Sequence, residues 1–189
     1  MSRYLARVID TETGGFDPAK NALIEIGWGY LTEDLKVERA QSIHILPQEG
    51  RTIEPGAIEI NGYTAELWDE YGAVPLEGAI ATIMAEWAQH PPLAHAGSNC
   101  SFDRRFLAAY APQLVEPRFI TDVVIDTQTG GRALWRAEGV TKPPKGGLSL
   151  TGLLVKCGYQ RMAAEAHGAL EDVIATGQLL RLLREKRAW

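Results

Sequence analysis

An α/β fold with a mixed central sheet is predicted from three features of the chain: strand-like runs come first, strands then alternate with helical patterns, and Gly and Pro pairs punctuate the transitions. Tyr4 to Asp10 is β-branched and apolar, and Ala22 to Tyr30 is a second such run, with a Gly14-Gly15 turn between them. Ser42 to Leu46, closed by Pro47, reads as a third strand, so residues 4 to 46 form an antiparallel meander. Ile80, Ile83, Met84 and Trp87 recur at helical spacing and predict a helix from Leu76 to Gln89, stopped by His90-Pro91-Pro92. Leu93 to Gly97 reads as a short buried strand. Phe102, Phe106, Leu107 and Tyr110 then mark a helix with Ser101 as its N-cap. Phe119 to Ile125 is a further strand, and Gly130-Gly131 and Lys142 to Gly147 read as loops, the second of them mobile. Ser149 to Cys157 and Gly168 to Lys186 read as helices, the last ending in cations that suit the negative end of a helix dipole.

At 189 residues and 46% hydrophobic composition, the chain is expected to form one domain, 1–189, around one core. Charged residues at 23% argue against disorder, and no apolar stretch approaches the ~20 residues a membrane-spanning helix needs. Met1 to Ala6 runs straight into the first strand, so the expectation is a cytoplasmic protein with no leader and no membrane contact. Cys100 and Cys157 fit neither a disulfide framework nor a zinc site and are read as reduced thiols. A net charge of −5 disfavours phosphate binding unless carboxylates converge on cations, in which case the formal count overstates the negative field at the site.

Asp10 and Glu12 are two apart at the end of the first apolar run. Alternate side chains of a strand share a face, so both carboxylates reach one spot with backbones roughly 6 to 7 Å apart, a donor pair suited to Mg²⁺ or Mn²⁺. Taken alone, such a pair is ordinarily a solvated strand end. Asp103 falls in the first turn of a predicted helix, where an acid also simply suits the helix dipole. His167 and Asp172 are five apart, which on a continuous helix turns them about 140° from each other. They converge only if His167 precedes the helix, and Gly168 allows the chain to bend there.

Taken in order, Val8-Ile9-Asp10-Thr11-Glu12-Thr13-Gly14-Gly15 with Ile24-Glu25-Ile26-Gly27, Ser98-Asn99-Cys100-Ser101-Phe102-Asp103, and His167-Gly168-Ala169-Leu170-Glu171-Asp172 resemble the three motifs of the DnaQ-like, or DEDDh, 3'-5' exonuclease superfamily. Ile53 to Thr64 and Ser149-Leu150-Thr151-Gly152-Leu153-Leu154 resemble further segments of its proofreading members, while Asp103-Arg104-Arg105-Phe106-Leu107 is closer to oligoribonuclease. Ser98 and Asn61 stand where these relatives commonly carry histidine, and His95 lies further back.

The resemblance implies an RNase H-like mixed sheet flanked by helices. It also implies two Mg²⁺ or Mn²⁺ ions on Asp10, Glu12, Asp103 and Asp172, and His167 as the base that takes a proton from the attacking water. The implied activity is release of nucleoside 5'-monophosphates from a single-stranded 3' end, with DNA favoured. Thr13, Leu23 or Ile24, Asn99 and Phe102 are the implied substrate contacts. Arg104, Arg105, Arg161, Lys142 and Lys145 are candidates for phosphate contact. An RNA-trimming or oligoribonuclease-like enzyme, and a non-catalytic nucleic-acid or polymerase-binding module, are the alternatives left open. So are self-association as a homodimer and association with a polymerase.

Overall fold

The structure, a computed structural model, describes residues 4–160, 162 and 168–188. Five strands, β1 (Tyr4–Thr13), β2 (Leu23–Thr32), β3 (Val37–His44), β4 (Leu93–Gly97) and β5 (Ile120–Asp126), form one sheet in the order β3-β2-β1-β4-β5. The first three pair antiparallel as a meander, whereas β4 and β5 add parallel to the other side of β1. The mixed sheet is therefore as expected, and its parallel half is joined by helices, as parallel neighbours require.

Side-chain alternation along β1 assigns its faces. Ile9 joins Ile26, Trp28 and Tyr30 of β2 against Ile83 and Trp87 of α3 (Leu76–Trp87) and Phe106 and Leu107 of α4 (Cys100–Tyr110). Ala6 and Val8 point the other way, to Val173 and Leu180 of α7 (Ala169–Glu185). With helices on both faces and strands on both sides, every residue of β2 is buried. Helix α5 (Thr127–Ala137) and helix α6 (Leu150–Cys157) flank α7 on its outer side.

Several boundaries differ from the sequence reading. β1 runs on through the polar Thr-Glu-Thr to Thr13, because pairing with β2 continues that far. β3 begins at Val37 and stops at His44, where the reading placed Ser42 to Leu46. Two short helices, α1 (Pro55–Asn61) and α2 (Ala65–Glu70), follow. Pro55 starts α1 where a missing N–H costs nothing, Gly62 closes it at φ 68, and Thr64 caps α2 through Leu67 N (3.1 Å).

Gly130 and Gly131 are not in a loop. They lie inside α5, buried, and a Cβ on Gly131 would sit 2.7 Å from both terminal methyls of Leu153, so the absent side chain is what lets α6 approach. The N-cap of α4 is Asn99, not Ser101, and it adopts the left-handed conformation (φ 65, ψ 50). Trp28, Trp68 and Trp87 are buried in the core. Cys100 and Cys157 are free, the first of them buried. No helix among the described residues is long and apolar enough to cross a membrane.

Candidate active site

Asp10 and Glu12 continue the Ala6–Val8 row of β1, on the face that α7 covers, and lie opposite Gly27 and Glu25 of β2. Two features of β2 bring α7 down onto this row. Gly27 has no Cβ, and one placed there would fall 2.4 Å from the carbonyl oxygen of Ala169. Glu25, buried at 4% exposure, accepts a hydrogen bond from the backbone N–H of Ala169 (3.2 Å), one of the first-turn amides that no residue of the helix itself can satisfy. Docked in this way, α7 delivers Asp172 from its first turn.

Carboxylate oxygens of Asp10, Glu12 and Asp172 thus lie within 4.8 Å of one another. Asp103 reaches the same end of β1 from the opposite side, in the first turn of α4. It is 2% exposed, and its Oδ1 accepts a hydrogen bond from Thr11 Oγ1 (2.8 Å).

Such crowding disfavours ionisation. Burial, and then the charges of Asp103, Asp172, Glu12 and Glu25, hold the Asp10 carboxyl well above its ordinary range. Burial followed by the charges of Asp172 and Glu25 pushes Glu12 to about 9. Asp172 rises to about 7 through burial and then Glu171 and Glu25. Asp103 also rises to about 7, through burial, with the Thr11 hydrogen bond opposing the shift. Asp172 Oδ1 is moreover buried with no hydrogen-bond partner among the described residues.

Four hard oxygen donors, mutually repelling and with one oxygen unclaimed, fit divalent cations of the Mg²⁺ or Mn²⁺ type. Asp10, Glu12 and Asp172 form the tight set. Asp103 lies outside it and is linked to it through Asp10. His167 and Arg161 lie outside the described residues.

A mostly apolar cleft opens beside Glu12, lined by Thr13, Phe16, Ile60, Asn61 and Phe102 among others. Thr13 and Phe102 therefore line it as expected. Thr13 also shapes it, its hydroxyl donating to Gly15 O (2.7 Å) and its carbonyl accepting from Asn61 Nδ2 (3.2 Å). Asn99 is exposed at the start of α4.

Leu23 and Ile24 do not fit their expected role. Both are 0% exposed, Leu23 in the core beneath α3 and α4 and Ile24 packed with Ala22 and Trp68, so neither offers a surface to a ligand. Packing on both faces of β2 is the reason, Leu23 and Ile24 pointing to opposite ones.

Four contributors went unnoticed in the sequence: Thr11, Glu25, Gly27 and Phe16. The first three stand inside the quoted motifs, and their partners are residues 92, 144 and 142 positions away in sequence (Thr11 to Asp103, Glu25 to Ala169, Gly27 to Ala169). Phe16 carried its own signal, a large aromatic directly after the Gly14-Gly15 turn. It is 76% exposed, with its ring edge-on to that of Phe102 at 6.2 Å.

The mixed-sheet fold carries a carboxylate cluster that could hold metal, and comparison with known proteins gives its family. A family model described as Exonuclease, the RNase T type, matches residues 8–180, and the chain belongs to this exonuclease family. Ribonuclease T of Shewanella sp. strain W3-18-1 is 35% identical over 82 residues, which is 41% of this chain and 34% of that protein. Ribonuclease T of Haemophilus influenzae strain PittGG is 34% identical over 90 residues, 43% of this chain and 34% of that one.

Among solved structures, exonuclease I from Methylocaldum szegediense superposes with a TM-score of 0.71 at 26% identity, over 96% of this chain and 40% of that one. E. coli exonuclease I in complex with a dT13 oligonucleotide superposes with a TM-score of 0.75 at 20% identity, over 96% of this chain and 41% of that chain, which is a likeness of fold. The match thus spans about a third of the length of these ribonuclease T relatives and two fifths of the exonuclease I chains.

Proposed function

We propose that this protein is a metal-dependent 3'-5' exonuclease that releases nucleoside 5'-monophosphates from single-stranded 3' ends, with DNA as the favoured substrate. The observation that carries the reading is the convergence of Asp10, Glu12 and Asp172 within 4.8 Å, with buried Asp103 beside them. Asp10, Glu12 and Asp172 would hold one divalent ion, and Asp10 and Asp103 a second. Bound there, two such ions supply positive charge to the attacking and leaving oxygens of an in-line phosphodiester displacement.

The remaining work falls to the protein's own groups. The apolar cleft beside Glu12 receives the terminal bases, for which the exposed Phe16 ring and the Phe102 ring are stacking surfaces. Thr13 and Asn61 form its polar wall. His167 stands directly before the Gly168 N-cap of α7, five residues ahead of Asp172 in sequence, and a neutral imidazole there would take the proton of the attacking water.

DNA is preferred in this reading because the likeness to exonuclease I covers nearly the whole chain and includes complexes with dT13 and dA16 oligonucleotides. A second reading, trimming of RNA 3' ends, is favoured by the ribonuclease T relatives at 34 and 35% identity.

The test is incubation with Mg²⁺ or Mn²⁺ and 5'-labelled single-stranded DNA or RNA. A ladder shortening from the 3' end, abolished by chelation or by Asp10→Ala, is the expected result. Hydrolysis by the metal-free protein, or release of mononucleotides from the 5' end, would overturn the reading.

A further inference from the structure

The carboxylate of Asp126, the last residue of β5, collects three backbone N–H groups from two different helix starts. Gln128 N donates to Oδ1 at 2.8 Å, Asn99 N to the same oxygen at 3.1 Å, and Cys100 N to Oδ2 at 3.0 Å. The first is the ordinary service of an N-cap to its own helix, α5. The other two reach back 27 and 26 residues to the start of α4.

Helix α4 has reason to need outside help. Its own N-cap residue, Asn99, makes no side-chain cap hydrogen bond and holds a left-handed backbone (φ 65, ψ 50), so its first-turn amides must find an acceptor elsewhere. A second tie lies next to the first, Thr127 Oγ1 donating to Ser98 Oγ at 3.0 Å. The turn at 98–100 is thus fastened by the β5–α5 junction. Two and three residues beyond Cys100 come Phe102, which lines the cleft, and Asp103, which faces the carboxylate cluster.

We infer that Asp126 is a positioning residue of the exonuclease site. By capping α4 from outside, it fixes the angle at which that helix leaves β4, and so where Asp103 and Phe102 stand. The inference rests on the exonuclease reading above.

Asp126→Ser separates the two jobs of the carboxylate. A serine oxygen still caps Gln128 N locally but is too short to reach Asn99 and Cys100. Gly131→Ala is the comparison: it crowds Leu153 and disturbs α5 packing while leaving the clamp alone. Two quantities are measured well below each variant's melting temperature: Mn²⁺ affinity by calorimetry, and kcat on a single-stranded oligonucleotide.

Asp126→Ser should weaken Mn²⁺ binding and lower kcat by about 10- to 100-fold, the range seen when a ligand's support is removed, while Gly131→Ala stays within about twofold of wild type on both. Values within twofold of wild type for Asp126→Ser, or an equal fall in Gly131→Ala at a matched loss of melting temperature, would overturn it. Should Asp126→Ser not fold, Asp126→Asn, which must surrender at least one of the three amides, is judged by the same two measurements. If the wild-type protein binds Mn²⁺ but hydrolyses nothing, the exonuclease reading fails, whereas the Mn²⁺ comparison still judges the Asp126 clamp.

Discussion

Thr11 Oγ1 donates a hydrogen bond to Asp103 Oδ1 at 2.8 Å, and this one contact joins the central strand to the helix that brings the fourth carboxylate. Thr11→Val keeps the shape and removes the donor. A hydrogen bond to a charged group contributes about 1.5 to 3 kcal/mol, so kcat should fall roughly 10- to 100-fold, with Thr11→Ser close to wild type. Single-turnover rates of the two variants check this, and equal rates in valine and serine would show that the bond does not position Asp103.

The carboxylate cluster makes a signed prediction about pH. Asp103 and Asp172 titrate at about 7 in the folded chain and Glu12 at about 9, against ordinary values of 3.8, 3.8 and 4.5. Between those limits the folded protein holds protons that the unfolded chain has released, so the stability they contribute is complete below about pH 4 and is lost as pH rises through 7 toward 9. A divalent cation favours the charged forms and reverses the trend. Melting temperature in chelator should therefore be higher at pH 5 than at pH 8, and added Mg²⁺ should raise it most at pH 8. A chelated protein that becomes more stable across that interval, and ignores Mg²⁺, would contradict the electrostatic account.

Gly27 tests whether the approach of α7 matters for the site. In Gly27→Ala, the new methyl would meet Ala169 O at 2.4 Å, and backbone cannot move aside as a side-chain tip can. The helix must lift, costing about 1 to 3 kcal/mol of stability and weakening Mn²⁺ binding through Asp172. Gly78→Ala, on α3 where a Cβ meets nothing within 4 Å, should instead stabilise by about 1 kcal/mol through helix propensity and leave metal binding alone. Thermal melts and calorimetry on the pair decide it. Unchanged Mn²⁺ affinity in Gly27→Ala would separate the docking of α7 from the metal site.

The meander and the helices α3, α4, α6 and α7 were legible because their periodicities are local. Ala6 and Val8 alternate with Arg7 and Ile9 in β1, and Ile80, Ile83 and Trp87 recur on one side of α3. The misread positions depend on partners far along the chain. Gly130 and Gly131 look like a loop until Leu153 occupies the space of the missing side chain. Leu23 and Ile24 adjoin the first motif in sequence, yet the core beneath α3 and α4 on one face of β2 and Trp68 on the other seal them in. Of the site, the acids could be picked out by their order along the chain. What could not be read was the scaffold that aims them, Thr11, Glu25, Gly27 and Asp126, since each acts through a contact with a distant segment.

Phe16 offers the sharpest separation of binding from folding. Its ring is 76% exposed and touches the protein mainly edge-on to Phe102, so Phe16→Ala should leave the melting temperature within a degree or two. Phe102 is only partly buried but packs on Phe106 at 5.0 Å and beneath the Arg105 guanidinium at 5.7 Å, so Phe102→Ala should cost stability as well as binding. If each ring stacks on a base, either truncation should raise KM for a single-stranded oligonucleotide by a factor reflecting about 1 to 3 kcal/mol. A shared base between the two rings predicts more: the double variant should lose less than the sum of the singles, because the second ring has little left to hold once the first is gone. Steady-state kinetics on the four proteins, with DNA and RNA oligonucleotides of one sequence, measure that coupling. Additive losses would place the two rings on separate bases, and a Phe16→Ala enzyme with unchanged KM would remove Phe16 from the substrate site.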